Sequence, residues 1–154
     1  MSVRLTLKGF DRQLRQLERL GGDVRRVSED VLLKSAEMFA TELVKQTNGA
    51  PMSVETKRAI MASFVKPAIL KSNDYFVVAE TGFRMGDYTP DDLSGGFIAQ
   101  FNTYGTDRRY TRMGGYRGSL DELEFVQRAH KAVDSKIRKM QEKELVKATE
   151  EAFR

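Results

Sequence analysis

Cysteine is absent from this chain, and histidine occurs once, as His130. Without cysteine there are no disulfides, no thiolate nucleophile and no Cys-based zinc site, a composition compatible with folding in a reducing cytosol. A lone imidazole lacks the partners of a catalytic dyad or a metal site, so His130, beside Ala129 in the last helix, reads as a structural or surface residue. Long apolar runs are also missing: none approaches the ~18 residues of a membrane span. The start, Met1-Ser2-Val3-Arg4-Leu5-Thr6, has no apolar signal-peptide core, so neither secretion by that route nor membrane insertion is expected. Phosphate cradling is not signalled either. Gly21-Gly22, Gly95-Gly96 and Gly114-Gly115 lack the strand–glycine–helix context and the Lys-Ser/Thr pair. The carboxylate pairs Asp91-Asp92 and Asp121-Glu122 fall where helix starts favour acids, which accounts for them without acid–base catalysis. No catalytic residue, cofactor or metal ligand is assigned, and the chain is not read as an enzyme.

What is present is ordinary globular composition. The 154 residues, 40% apolar and 31% charged, suit a single domain over 1–154 with a genuine core. The formal charge of +4 is unevenly spread. Arg4, Lys8, Arg12, Arg15, Arg19, Arg25 and Arg26 crowd the first part of the chain against Asp11, Glu18 and Asp23. Such a face can meet nucleic acid or an acidic protein. A solvated helix face explains it more simply.

The alternation of Val3, Leu5 and Leu7 with polar residues reads as a half-buried strand ended by Gly9. Asp11 stands at an N-cap before Leu14, Leu17 and Leu20, a short helix broken by Gly21-Gly22. Asp23 opens a longer helix with the stripe Val24, Val27, Val31, Ala36, Phe39, Leu43 and Val44, stopped by Asn48-Gly49-Ala50-Pro51. Ser53 caps a short helix to about Ser63. Val65 to Leu70 and Tyr75 to Ala79 read as a β-hairpin, and Pro67 makes its first arm an edge or a bulge. Thr89-Pro90-Asp91-Asp92 is a helix start that Gly95-Gly96 limits to about one turn. Ser119 with Glu122 has capping-box spacing, so the last helix is expected over 119–153. Phe125, Val126, Ala129, Val133, Ile137 and Met140 form its inward face, and its charged last third is expected to project toward a neighbour.

These parts predict an α+β fold: a small antiparallel sheet, made of the hairpin and the N-terminal strand, packed against two long amphipathic helices, with long polar loops. Two stretches are expected to be mobile loops, 84–96 and 107–118. The second follows an apolar aromatic segment, Phe97 to Tyr104, that stops where Gly105 can take a positive φ. It carries Arg108, Arg109, Arg112 and Arg117 among Gly114, Gly115 and Gly118, with no apolar period of its own. These arginines, with Tyr104, are the candidate interaction residues. Arginines interleaved with an aromatic also occur in single-strand nucleic-acid binders, but an acidic neighbouring subunit is the favoured partner.

In order, several segments resemble the tail-completion (head–tail joining) proteins of long-tailed bacteriophages. Leu5-Thr6-Leu7-Lys8-Gly9-Phe10-Asp11 matches that family's strand–glycine–helix entry, and Val44-Lys45 with Ala50-Pro51 matches the end of its long helix. Ile98-Ala99 and Tyr104-Gly105-Thr106 match the ends of a Tyr-Ala-x-x-x-Glu-aromatic-Gly-Thr segment, and Phe125-Val126 with Ala129 matches the last helix. Thr103 stands in place of the usual Glu, Ser53-Val54-Glu55 in place of Asp-Thr-Gly, and Glu124 in place of a common Pro. The resemblance implies a structural virion protein of the neck or tail end, assembled in the bacterial host cytoplasm. It implies a homo-oligomeric ring, commonly six-fold, whose partners are tail-tube and head-connector proteins, with no membrane contact. A small basic nucleic-acid-binding protein is the alternative.

Overall fold

The structure, a computed structural model, describes residues 2–5, 24–72, 76–86 and 94–152. In chain order the elements are β1 (Ser2–Leu5), α1 (Val24–Gly49), α2 (Val54–Ala62), β2 (Phe64–Ser72), β3 (Val77–Phe83), α3 (Gly95–Tyr104), β4 (Thr106–Tyr110), β5 (Tyr116–Leu120) and α4 (Phe125–Ala152). The expected short helix after Asp11 and the helix start at Thr89-Pro90 lie outside the described residues.

The β-branched run from Val77 occupies the centre of a three-stranded antiparallel sheet of order β1-β3-β2. The N-terminal strand pairs Ser2 with Gly82 and Leu5 with Ala79. On the other side the register slips between Val65 and Ala68 and again between Ile69 and Lys71. Pro67 sits in the first slip. It has no N–H to give the ladder, so an edge strand with a bulge is where it fits. The fully buried Thr81 supports the bulge from the central strand by donating its hydroxyl to the Val65 carbonyl, at 2.9 Å.

α1 is buried on two sides. Leu32 and Ala36 pack on Ala79, with Ile69 and Val77 around them. Phe39 and Leu43 join Phe125, Val126, Ala129 and Val133 of α4 in the larger core cluster. Each such large apolar side chain removed from water stabilises the fold by about 1.5–3 kcal/mol. The faces include Ser35 and Thr47, which are buried without penalty because their hydroxyls donate to the carbonyls one turn back, Val31 at 2.7 Å and Leu43 at 2.8 Å. At one end of the layers Phe83 meets Phe64 and Phe125 edge to face, at ring-centroid distances of 6.0 and 6.3 Å.

α4 runs antiparallel along α1. Gln141 donates to Ser35 Oγ at 3.0 Å, and Lys34 pairs with Glu144 at 3.5 Å. Farther along, Lys147, Ala148 and Glu151 line a shallow groove with Val27, Asp30 and Val31. The last third of the helix does not project, as its charge suggests, but covers the first turns of α1. The Lys34–Glu144 pair, with Ala148 beside Val27 and Val31, lines that seam, although the segment has few large apolar residues.

Several boundaries differ from the sequence expectation, beginning with β3, which runs on to Phe83 past the expected end at Ala79. Gly95-Gly96 do not end a helix but begin α3, because both lie against neighbouring backbone. A Cβ on Gly95 would fall inside the Ala59 carbonyl of α2 and 2.8 Å from Ser63 Oγ. The last helix starts at Phe125, not at Ser119. Ser119 is in β5, and the N–H groups of Leu123 and Glu124 donate to the carbonyls of Asn102 and Thr103 at the end of α3, at 3.0 and 3.2 Å. The orphan carbonyls of one helix thus hold the entry to the next.

Substituting Gly95→Ala is expected to lower stability by about 1–3 kcal/mol through overpacking. Gly49→Ala, at the exposed end of α1 with open space around the added Cβ, is expected to raise it by about 0.5 kcal/mol. Denaturant unfolding of the two variants checks both signs. A second expectation concerns the join between α1 and β2. Arg25 Nε donates to Ser72 Oγ at 2.9 Å and its Nη2 to the Ser72 carbonyl at 3.1 Å, while the Ser72 hydroxyl donates to Glu29. The Ser72 hydroxyl first, then Arg25, hold the Glu29 carboxyl below its ordinary value. A depressed carboxylate contributes stability above its unfolded pKa and loses it as pH falls through the folded pKa. The stability gap between the natural chain and Glu29→Ala should therefore be present at neutral pH and close under acid; a constant gap would show that the carboxylate charge plays no part.

Candidate interaction arm

The stretch 107–118, expected as an irregular loop, contains most of a two-stranded hairpin. β4 and β5 pair Thr106 with Leu120, Arg109 with Gly118, and Tyr110 with Tyr116, with a register slip in each interval. Gly118 sits at φ +82 in the strand, the backbone a bulge requires. The turn is closed by Thr111: its N–H donates to the Gly115 carbonyl at 2.7 Å, and its hydroxyl accepts from the Gly115 N–H at 2.9 Å. The hairpin signal is a glycine pair between two tyrosines, Tyr110 and Tyr116, whose rings lie 5.5 Å apart across the strands. Without aliphatic alternation that signal reads as a loop.

The strands pair with each other and not with the three-stranded sheet. No described side chain from Thr106 to Leu120 is buried. At about 3.3 Å per residue the hairpin extends roughly 15 Å from its base. The base is firm. α3 ends at Gly105 with φ +70, where an added Cβ would come 2.7 Å from the Leu120 carbonyl. The Leu120 N–H donates to Thr106 Oγ1 at 3.1 Å, and Glu124, at φ +46, turns the chain into α4. Entry and exit are thus both fixed to the core while the arm itself is solvated.

The candidate residues are brought together here. Tyr104 is the exposed last residue of α3, Arg108 is exposed on β4, and Arg112 is exposed in the turn. Arg109 and Arg117 lie in β4 and β5; their side chains are outside the described set. Arginine content alone does not single out the apolar members of the arm: Tyr110 is 60%, Tyr116 61% and Met113 99% exposed. Nor does it single out Asp121, Glu122 and Glu124, which lie exposed at the base and precede the last helix instead of forming its first turn.

Elsewhere the expectations divide. His130 is exposed on α4. Of the stretch 84–96, Gly86 donates its N–H to Ser94 Oγ at 3.0 Å, joining the two ends of a segment whose middle, including Asp91 and Asp92, is outside the description. Of the basic N-terminal residues, Arg25 is engaged with Glu29 and Ser72. Among the described residues no three His, Cys, Asp or Glu side chains gather at metal-ligating positions, and no helix is long and apolar enough to cross a membrane.

Exposed charges away from caps and cores shift stability by no more than about 0.5 kcal/mol each. Replacing the exposed Arg108 and Arg112 together by glutamine should therefore leave the denaturant midpoint of the core nearly unchanged. A loss of several kcal/mol would make the arm part of the folding unit.

Comparison with known protein families, characterised proteins and solved structures returned no match.

Proposed function

We propose that the chain is a non-catalytic structural virion protein of a phage neck or tail end, forming a ring that completes the tail or joins it to the head. The observation that carries this reading is the solvated β4–β5 arm on a firm base. A lone two-stranded hairpin is marginally stable in water, and five large apolar side chains on it and at its foot are between 36% and 99% exposed in the monomer. Tyrosine and arginine together are the composition of interface anchors. The ordered sequence resemblance to tail-completion proteins supplies the kind of assembly: a ring of identical copies, commonly six-fold, meeting tail-tube and head-connector proteins. A patch that meets a different patch on the next copy generates such rings when the rotation closes.

Electron microscopy of the purified protein, alone and with tail tubes, tests the reading. Rings, or caps on tubes, are expected, together with slowed hydrogen exchange in the arm on assembly. A protein that stays monomeric and neither caps tubes nor joins heads overturns it. The second reading, a nucleic-acid binder, is favoured by the paired tyrosines beside arginines and requires affinity that falls steeply with salt. Flat or absent binding at physiological salt removes it.

A further inference from the structure

The charges on and around the arm indicate what it grips. Four arginines against Asp107 give the segment 107–117 three net positive charges, while Asp121, Glu122 and Glu124 put three negative charges at its foot. Arg108 and Arg112 are exposed, as are all three acids. Among the described residues the ion pairs are Arg25–Glu29, Lys34–Glu144, Lys45–Glu42, Arg138–Asp134 and Lys147–Glu151, so none of these five groups has an ion-pair partner there. One molecule therefore carries two adjacent patches of opposite charge.

The apolar surface points to the same place. Of the ten exposed large apolar side chains among the described residues, Tyr104, Tyr110, Met113, Tyr116 and Leu120 fall within this one stretch. A nucleic acid would use the arginines, but its phosphates would be repelled by the acids at the foot of the arm. A protein carrying both signs satisfies both patches, and a second copy of this chain is such a protein.

We infer that the β4–β5 arm of one copy docks on the Asp121–Glu124 segment of the next, its arginines facing those carboxylates and its tyrosines and Met113 closing over the contact. Apolar closure excludes water, which strengthens the charge pairs it surrounds. Arm and foot are different surfaces, so the contact is heterologous. Repeated around a closing rotation it produces a ring in which every arm and every foot is occupied. The inference rests on the ring reading and adds to it the identity of the joint.

Two charge-reversed variants test the joint. Variant one carries Arg108→Glu and Arg112→Glu; variant two carries Asp121→Lys and Glu122→Lys. Glu124 is left intact because its φ of +46 makes the turn into α4 sensitive to the residue placed there. Sedimentation and electron microscopy, with tail tubes present, read assembly. Each variant alone sets like charges against each other and should assemble at least about a hundredfold more weakly than the natural chain. An equimolar mixture should recover assembly, because the acidic arm of the first then meets the basic foot of the second, and the reverse.

Rings formed normally by either variant alone, or a mixture that does not recover, overturn the joint while leaving the ring reading in place. A natural chain that never associates overturns both, and salt-sensitive binding of an oligonucleotide lost in variant one would then assign the arm to nucleic acid. Where a reversed variant does not fold, the absence of natural cysteine provides a second measurement. Single-cysteine variants Arg112→Cys and Glu122→Cys, mixed under ring-forming conditions, should cross-link to each other and not to themselves. Rings without that cross-link overturn the joint.

Discussion

α1 is buried on two sides, and the other layers are arranged around that fact. A sheet of three strands with one apolar face needs a cover, and so does a long amphipathic α4; one helix serves both. That requires α1 to carry apolar or self-satisfied residues around most of its circumference. Leu32 and Ala36 meet the sheet, Phe39 and Leu43 meet the α4 side, and Ser35 and Thr47 enter the interior with their hydroxyls bonded to their own helix. Part of its charge links neighbours: Arg25 and Glu29 to Ser72 of β2, Lys34 to Glu144 of α4.

Close approach of backbone governs the other end of the layers. α2 and α3 come near enough that Gly95 has the Ala59 carbonyl against it, and the last carbonyls of α3 are satisfied by the N–H groups that lead into α4. The end of α3 therefore needs no side-chain cap there. The chain leaves the core at Gly105 and returns to it at Leu123 and Glu124, and everything in between is free to face outward.

The molecule thus separates two tasks. The layers around α1 hold the apolar core, while the arm displays tyrosine, methionine and arginine to water. An arm that contributes little to its own core can give up chain entropy on contact without threatening the fold that carries it.

Much of the fold is legible in local chemistry. Ser53 caps α2, with its hydroxyl accepting from the Thr56 N–H, as the Ser-x-x-Thr spacing predicts. The stop at Asn48-Gly49-Ala50-Pro51, the edge bulge at Pro67, the positive φ of Gly105 and the inward face of α4 are likewise consequences of single residues or of periodicity. The misreadings have one cause. Ser119 has the right spacing for a cap, but strand pairing with the segment after Gly105 claims it first. Gly95-Gly96 looks like a stop, but a neighbouring carbonyl leaves room for nothing larger. The tyrosines flanking Gly114-Gly115 become a hairpin only once their rings meet. The α+β class, the central strand, the two long helices and the clustering of arginines after Tyr104 all follow from residue order. That α1 is covered twice, that α4 folds back along it, and that the arginine segment is an arm with acids at its foot emerge only in three dimensions. Capping and periodicity act within a turn or two of helix, whereas those outcomes depend on which distant backbone and side chains compete for the same groups.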